Sequence, residues 1–470
     1  MTPAPTRARV RLTPPTRPQT LGLVTGLIAF VLALWAEVPG LEPAGQRMLA
    51  IFLLAILLWV TEAIPLYATA VLVILLEVLM LSDQALIGGL ADPPSAAGYF
   101  AALANPVIIL FLGGFLIADG AHKFGLDRNL AAVLLRPFAG DARRSVLGLM
   151  MITALLSMFV SNTATAATMF AVVIPILAAL PVGTARTGVA LSIPVAANVG
   201  GIGTPVGSPP NAIALGALEA QGQGVSFVGW MAIAMPLMLV VLIFAWWFLT
   251  RRYVPKDLPL TLSLAADFDR SPAAILFYAI AGATVLLWLT EPFHGIASTT
   301  VGFIPVVALL ATQVMSADDL RRLQWPVLWL VAGGIALGAG IGHSGLDAWL
   351  IGLVDWERLP LGLLLLLLVL ISVGLSTVIS NSATANLLVP LALGLAIGLP
   401  IDPTAVGVMV AIACSLAMAL PISTPPNALA YATGEVPTRA MVLSGLVIGG
   451  FGALLLAFLM PRVWGALGLL

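Results

Sequence analysis

Ser161-Asn162-Thr163-Ala164-Thr165 and Ser380-Asn381-Ser382-Ala383-Thr384 decide how this chain is read, because each is a polar run inside an otherwise apolar stretch. The stretches are 145–180 and 362–399. Each is too long for one membrane crossing of about 20 residues and too short for two full crossings plus a turn. Two helical hairpins that enter the bilayer and return to the same face, with the polar runs at their tips, satisfy both limits. Further along, 188–221 and 404–433 are apolar but broken, by Gly200-Gly201-Ile202-Gly203-Thr204-Pro205-Val206-Gly207-Ser208-Pro209-Pro210-Asn211 and by Pro421-Ile422-Ser423-Thr424-Pro425-Pro426-Asn427. These predict spans unwound in the middle.

Working outward, the pieces pair. Residues 105–127 align with 325–347 without a gap and share nine of 23 positions, among them Pro106/Pro326, Gly113/Gly333 and Gly125-Leu126-Asp127/Gly345-Leu346-Asp347. The polar tips recur at an offset of 219 and the Pro-Pro-Asn-Ala breaks at 216, which marks an internal duplication. Loop charge then sets the relative orientation. Lys123, Arg128, Arg136, Arg143 and Arg144 follow the opening helix of the first repeat, where the second has only Arg358. Ahead of that helix the bias reverses, with no basic residue in 83–104 but Arg321 and Arg322 in 315–324. By the positive-inside rule the repeats face opposite ways.

Of 470 residues, 60% are hydrophobic and 9% charged, with a net charge of −1 and a mean hydropathy of +1.10. A water-facing fold carries about a quarter charged residues, so a soluble globular protein is excluded. The arginines lie in short loops, the pattern that fixes topology rather than one that binds nucleic acid. Nine ordinary crossings are expected near 21–36, 47–63, 66–82, 105–121, 227–249, 272–290, 297–314, 325–341 and 440–460. The predicted fold is an all-α polytopic membrane protein of eleven transmembrane helices and two re-entrant hairpins in an inverted repeat. With the N-terminus cytoplasmic and the C-terminus outside, only Arg47, Arg358 and Arg462 fall on the outer side.

The expected organisation is a disordered cytoplasmic tail over 1–20, a first repeat over 21–224, a connecting helix and cytoplasmic loop over 225–271, and a second repeat over 272–470. The prolines of the tail oppose the amphipathic helix of a transit peptide. Trp35, Trp59, Trp230, Trp246, Trp247, Trp288 and Trp325 lie near predicted span ends, as an interfacial belt would place them. Cys414, the single cysteine, reads as a small core residue.

A helix broken inside a bilayer leaves backbone groups that lipid cannot satisfy, so such breaks persist where they line a polar site. Ser208-Pro209 and Thr424-Pro425 read as N-caps with proline at the first helical position. The positive ends of these half-helices can hold an anion. The hairpin tips add hydroxyls and amides from Ser161, Asn162, Thr163 and their second-repeat counterparts. Exposed carbonyls and hydroxyls suit a small hard cation such as sodium. The candidate donors are Ser157, Ser161, Asn162 and Gly207, with Ser376, Ser380, Asn381 and Ser423. A single such cluster is ordinarily glue between helices. Four breaks matched across an inverted repeat point instead to a site. No Lys or Arg lies near them, so an anion there would be balanced by bound cations and helix ends.

These paired tips and Ser/Thr-Pro-Pro-Asn breaks, with Trp59-Val60-Thr61-Glu62-Ala63-Ile64-Pro65, resemble the divalent anion/sodium symporter family of dicarboxylate, citrate and sulfate carriers. The likeness runs from residue 21 onward. It implies a sodium-coupled secondary transporter, a homodimer whose mobile domain works as an elevator in the lipid bilayer. By motif position it implies substrate contacts from Ser161, Asn162, Thr163, Ser208, Ser380, Asn381, Ser382 and Thr424. The same likeness puts sodium sites around Ser157, Ser161, Asn162 and Gly207, and around Ser376, Ser380, Asn381 and Ser423. Ser382 stands where dicarboxylate carriers commonly have threonine, which bears on which dianion fits; C4-dicarboxylates such as succinate, malate or fumarate are the leading expectation.

Other readings differ in class. A sodium-independent exchanger, or a sulfate or citrate carrier, would use the same scaffold. A passive channel suits opposed hairpins less well than alternating access does. An intramembrane serine hydrolase needs a base beside its serine, and none is near Ser161 or Ser380 in sequence. His122, His294 and His343 lack metal-ligand spacing. Asp119 near His122 reads as a candidate proton relay. Glu77 reads as a snorkelling or helix-pairing acid and Glu62 as structural.

Overall fold

The computed structural model describes residues 16–36, 38–138, 140–181, 183–255, 259–260, 266–353, 359–398 and 401–469. Residues 1–15 and Arg358 lie outside them. Among the described residues the fold is helical, with one antiparallel ladder of two residues on each side, Gly140–Asp141 against Pro259–Leu260. The opening helix Arg17–Trp35 begins inside the stretch expected to be tail. Its start is fixed locally, because Thr16 N–H donates to Gln19 Oε1 at 2.9 Å, as in a capping box.

Among the described residues eight helical runs are long and apolar enough to cross a membrane. Two expected crossings, Leu66–Leu81 and Ser298–Ala311, are too short for that set at 16 and 14 residues. At about 1.5 Å per residue they span roughly 24 and 21 Å, less than a hydrocarbon core of about 30 Å. One expected hairpin arm, Leu361–Val378, is long enough to be counted as a crossing by itself. The last span runs from Thr438–Leu454 through a π-helical turn over Leu455–Leu459 into Met460–Ala466.

The two short helices each lie against a helix of the other repeat. Leu66–Leu81 packs along Trp325–His343, and Ser298–Ala311 along Pro106–Lys123. Glycine permits both approaches. A Cβ on Gly113 would fall 1.9 Å from Gly302 O, and one on Gly333 would fall 2.4 Å from Ala70 Cβ. Glu77, on the first short helix, is fully buried and does not snorkel; its side chain packs against Gly340, where a Cβ would lie 2.3 Å from Oε1.

The hairpins are helix pairs with tight turns. Ala142–Ser157 returns as Asn162–Ala179, and Leu361–Val378 as Asn381–Gly398. The broken spans are Thr184–Gly200 followed by Pro209–Ala220, and Pro403–Ser415 followed by Pro425–Ala432. Tryptophans brace this core rather than forming only a belt. Trp59, Trp230 and Trp288 are fully buried, and their Nε1–H groups donate to Leu66 O, Ile202 O and Ser298 O at 3.0–3.1 Å. A buried indole needs such a partner. Trp35 and Trp247 are exposed as a belt requires.

Arg47, one of the cations on the predicted outer side, is buried and spends its guanidinium on Met80 O, Ile87 O and Gly88 O at 2.6–2.9 Å. Those bonds cap the helix Leu66–Leu81 and hold the following loop.

Candidate functional site

Four helices begin at one cavity of about 370 Å³. Ser161-Asn162 and Ser380-Asn381 bring the starts of Asn162–Ala179 and Asn381–Gly398, while Ser208-Pro209 and Thr424-Pro425 bring those of Pro209–Ala220 and Pro425–Ala432. All eight residues expected to contact substrate line it: Ser161, Asn162, Thr163, Ser208, Ser380, Asn381, Ser382 and Thr424. Phe111, Phe115, Tyr67, Val327 and Leu330 supply an apolar wall. Among the described residues, no Asp, Glu, Lys, Arg or His lines it.

Local chemistry sets each start. The Ser161 hydroxyl accepts Ala164 N–H at 3.2 Å and Ser380 accepts Ala383 N–H at 3.2 Å, so both tips are N-capped. Thr424 caps in the same way, accepting Asn427 N–H at 3.3 Å. Ser208 holds the N-cap position but not the side-chain bond; its hydroxyl lies 3.4 Å from Asn211 Oδ1 and 3.1 Å from Ser415 Oγ.

The unwound segments are satisfied by paired asparagines. Asn211 Nδ2 donates to Gly201 O at 2.9 Å and Thr204 O at 2.8 Å, and Asn427 Nδ2 donates to Met418 O at 2.9 Å and Leu420 O at 3.0 Å. These are the same bonds at the repeat offset. The Thr204 hydroxyl reaches Met158 O, tying the first break to the first hairpin tip.

Two oxygen-rich corners sit behind the tips. At the first, one amide atom of Asn162 lies 2.5 Å from Ser157 Oγ, 3.1 Å from Gly207 O and 3.2 Å from Ala197 O. A nitrogen there has two hydrogens to share among three oxygens; an oxygen there joins them in a ring of four that suits a hard cation. At the second, Ser376 Oγ lies 2.8 Å from Asn381 Oδ1 and 2.9 Å from Cys414 O. Ser161 and Ser380 adjoin the two corners through the chain. The Ser423 hydroxyl turns away to donate to Thr377 O at 2.8 Å, so its side chain is not part of the second corner. Cys414 is buried in the core as read, though its carbonyl belongs to the site.

Sequence reading missed Gln324, Asn198 and Ser415. Gln324 Nε2 donates to Ser161 Oγ at 3.3 Å from the start of Trp325–His343. Asn198 and Ser415 are buried and bond across the repeats. Their signal was available, since both are polar residues just before matched breaks, at an offset of 217. Among the described residues no cluster of three His, Cys, Asp or Glu side chains could hold a metal. His122 Nδ1 faces buried Asp127 at 3.3 Å.

A helical membrane fold with a cavity at four matched breaks has the architecture of a multi-pass carrier, and the family and relatives it matches are transport proteins, not enzymes. The citrate transporter family model matches residues 56–413. The chain therefore belongs to that family, a carrier of the divalent anion/sodium symporter type. It is 29% identical to the sodium-dependent dicarboxylate transporter SdcS of Staphylococcus saprophyticus over 95% of this chain and 92% of that one. The SdcS proteins of Staphylococcus aureus match at 29% over the same shares. In fold it is similar to the YdaH transporter of Alcanivorax borkumensis, with a TM-score of 0.58, 17% identity and coverage of 86% of this chain and 98% of that one. It is also similar to MtrF of Neisseria gonorrhoeae, with a TM-score of 0.53, 14% identity and coverage of 84% and 94%.

Proposed function

We propose that this protein is a sodium-coupled symporter of small dianions, with C4-dicarboxylates such as succinate, malate or fumarate as its substrates. The observation that carries this reading is the convergence of four helix N-termini on a cavity without a charged side chain. Each helix start carries roughly half a positive charge, so four of them amount to about two, the charge of a dicarboxylate. The capping hydroxyls and tip amides supply directed donors, and the cavity volume falls within the range of about 300–1,000 Å³ for small-ligand pockets.

Sodium at the corners around Ser157, Asn162 and Gly207, and around Ser376 and Asn381, explains coupling. A bound cation beside each tip neutralises the anion and orders the tip that contacts it, so each ligand raises the affinity of the other. The SdcS relatives, named sodium-dependent dicarboxylate transporters, support both sodium dependence and a dicarboxylate. The hairpins act as re-entrant elements entering from opposite faces. In this reading the hairpins and broken spans move as one body against the remaining helices, as an elevator, in a homodimer with the N-terminus cytoplasmic.

Uptake by the purified protein in liposomes tests the reading. Succinate uptake is expected with an inward sodium gradient and not with potassium, and Asn162→Ala or Asn381→Ala is expected to abolish it. Sodium-independent uptake, or full activity in both variants, overturns it; uptake that requires dicarboxylate on the opposite face identifies an exchanger instead.

A further inference from the structure

Thr424 and Ser208 occupy equivalent positions in the two repeats, yet their hydroxyls are wired differently. Thr424 Oγ1 accepts two N–H bonds, from Asn427 N at 3.3 Å and from Asn198 Nδ2 at 3.1 Å. A hydroxyl oxygen has two lone pairs and one hydrogen. Both lone pairs are taken, and among the described residues no protein acceptor takes the hydrogen. Thr424 lines the cavity, so its O–H is left to point there.

Asn198 enforces this arrangement in two ways. Its second amide hydrogen goes to Asn427 Oδ1 at 3.1 Å, the acceptor that would otherwise compete for the Thr424 hydrogen. Asn427 is itself oriented, since its Nδ2 is held by Met418 O and Leu420 O. At the break of the first repeat the matching partner is Ser415, contributed by the second repeat, which has no amide to give. There, among the described residues, no amide donates to Asn211 Oδ1, which lies 3.4 Å from Ser208 Oγ, while Ser415 Oγ lies 3.1 Å from the same hydroxyl. The Ser208 hydrogen therefore has acceptors within the protein.

We infer that Asn198 is a positioning residue that makes Thr424 a dedicated hydrogen-bond donor toward the bound anion, while Ser415 leaves Ser208 without that polarity. The two ends of the site then grip an anion unequally, the Thr424 end more tightly. This rests on the reading of the cavity as an anion site.

The test is sodium-driven uptake of radiolabelled succinate by the full-length protein in liposomes, comparing wild type, Asn198→Ser, Thr424→Val and the double variant. Asn198→Ser reproduces at the second break the Ser415–Ser208 arrangement of the first, and frees Asn427 Oδ1 to capture the Thr424 hydrogen. It is expected to raise KM by about tenfold or more, the size of a lost hydrogen bond to a charged group, with turnover at saturation retained. Because Asn198 acts through Thr424, the same change is expected to add little in the Thr424→Val background. An unchanged KM, a loss of turnover alone, or full additivity with Thr424→Val overturns the inference while leaving the anion-site reading standing. Wild-type protein that takes up no succinate, citrate or sulfate overturns both. If Asn198→Ser fails to assemble, Asn198→Ala, which buries no new polar group, is measured and judged by the same outcomes.

Discussion

Ser376 Oγ stands 2.8 Å from Asn381 Oδ1, as Ser157 Oγ stands 2.5 Å from the amide of Asn162, so a serine from the ascending arm of each hairpin touches the asparagine that opens the returning arm. The contact closes each tip onto a backbone carbonyl of a broken span, Cys414 O at 2.9 Å in one case and Ala197 O at 2.8 Å in the other. A cation bound there would join the arms of a hairpin to the span beside it.

Ser376→Ala removes one of these oxygens without touching the cavity lining. The expected result is a higher sodium concentration for half-maximal uptake, with KM for succinate at saturating sodium little changed. Uptake measured against a sodium titration checks this, and an unaltered sodium dependence counts against the corner as an ion site.

Gly201→Ala probes the first corner by steric means. The added Cβ would fall 2.5 Å from Asn162 Oδ1 and 2.8 Å from Nδ2. Uptake is expected to be lost, while the protein still purifies with the same elution profile, because the clash is with one side chain rather than with a helix packing surface.

Gly340→Ala strikes the helix pair that carries Glu77. Its Cβ would meet Glu77 Oε1 at 2.3 Å and Met48 Sδ at 3.0 Å, both buried. Overpacking of this kind costs about 1–3 kcal/mol, so a lower unfolding temperature in detergent is expected. Glu77→Gln, which keeps the shape and cannot ionise, is expected to leave that temperature nearly unchanged.

Lys123 Nζ meets Asp319 at 2.6 Å and also donates to Val314 O at 3.0 Å, pinning the end of Pro106–Lys123 to the loop before Trp325–His343. Burial alone would push the Asp319 carboxyl up, but bonds from Lys123 and from the N–H and hydroxyl of Ser316 outweigh it and hold it at about 2. A depressed carboxyl stabilises the fold above its unfolded value near 3.9, and that contribution fades as pH falls through about 2. Both partners retain some exposure, so Asp319→Asn is expected to cost only about 1 kcal/mol at neutral pH. The gap in unfolding temperature between wild type and variant should be constant from pH 5 to 8 and narrow only in strong acid.

Much of the site was legible because its markers are local. A Ser-Asn tip, a Thr-Pro-Pro-Asn break and the spacing between repeats are written along the chain, and backbone geometry turns each into a capped helix start. Tryptophan was misread for the opposite reason. Trp59, Trp230 and Trp288 sit near span ends in sequence, but whether an indole faces headgroups or a neighbouring carbonyl depends on which helix packs beside it. The short helix Leu66–Leu81 agrees to within one residue with the expected 66–82, whereas the expected 297–314 overruns Ser298–Ala311 at its end, where Gln313 takes a positive φ of 57°.

The amino-acid sequence by itself determined that the chain lives in a bilayer, that it is duplicated, and where its helices break, since hydropathy, repeat offset and proline position are properties of neighbouring residues. Only the tertiary structure decided that four helix starts share one cavity, that Arg47 spends its charge on carbonyls, and that Asn198 reaches Thr424 across 226 positions. Those contacts depend on how two halves of the chain pack against each other, and no local pattern specifies which polar atom meets which.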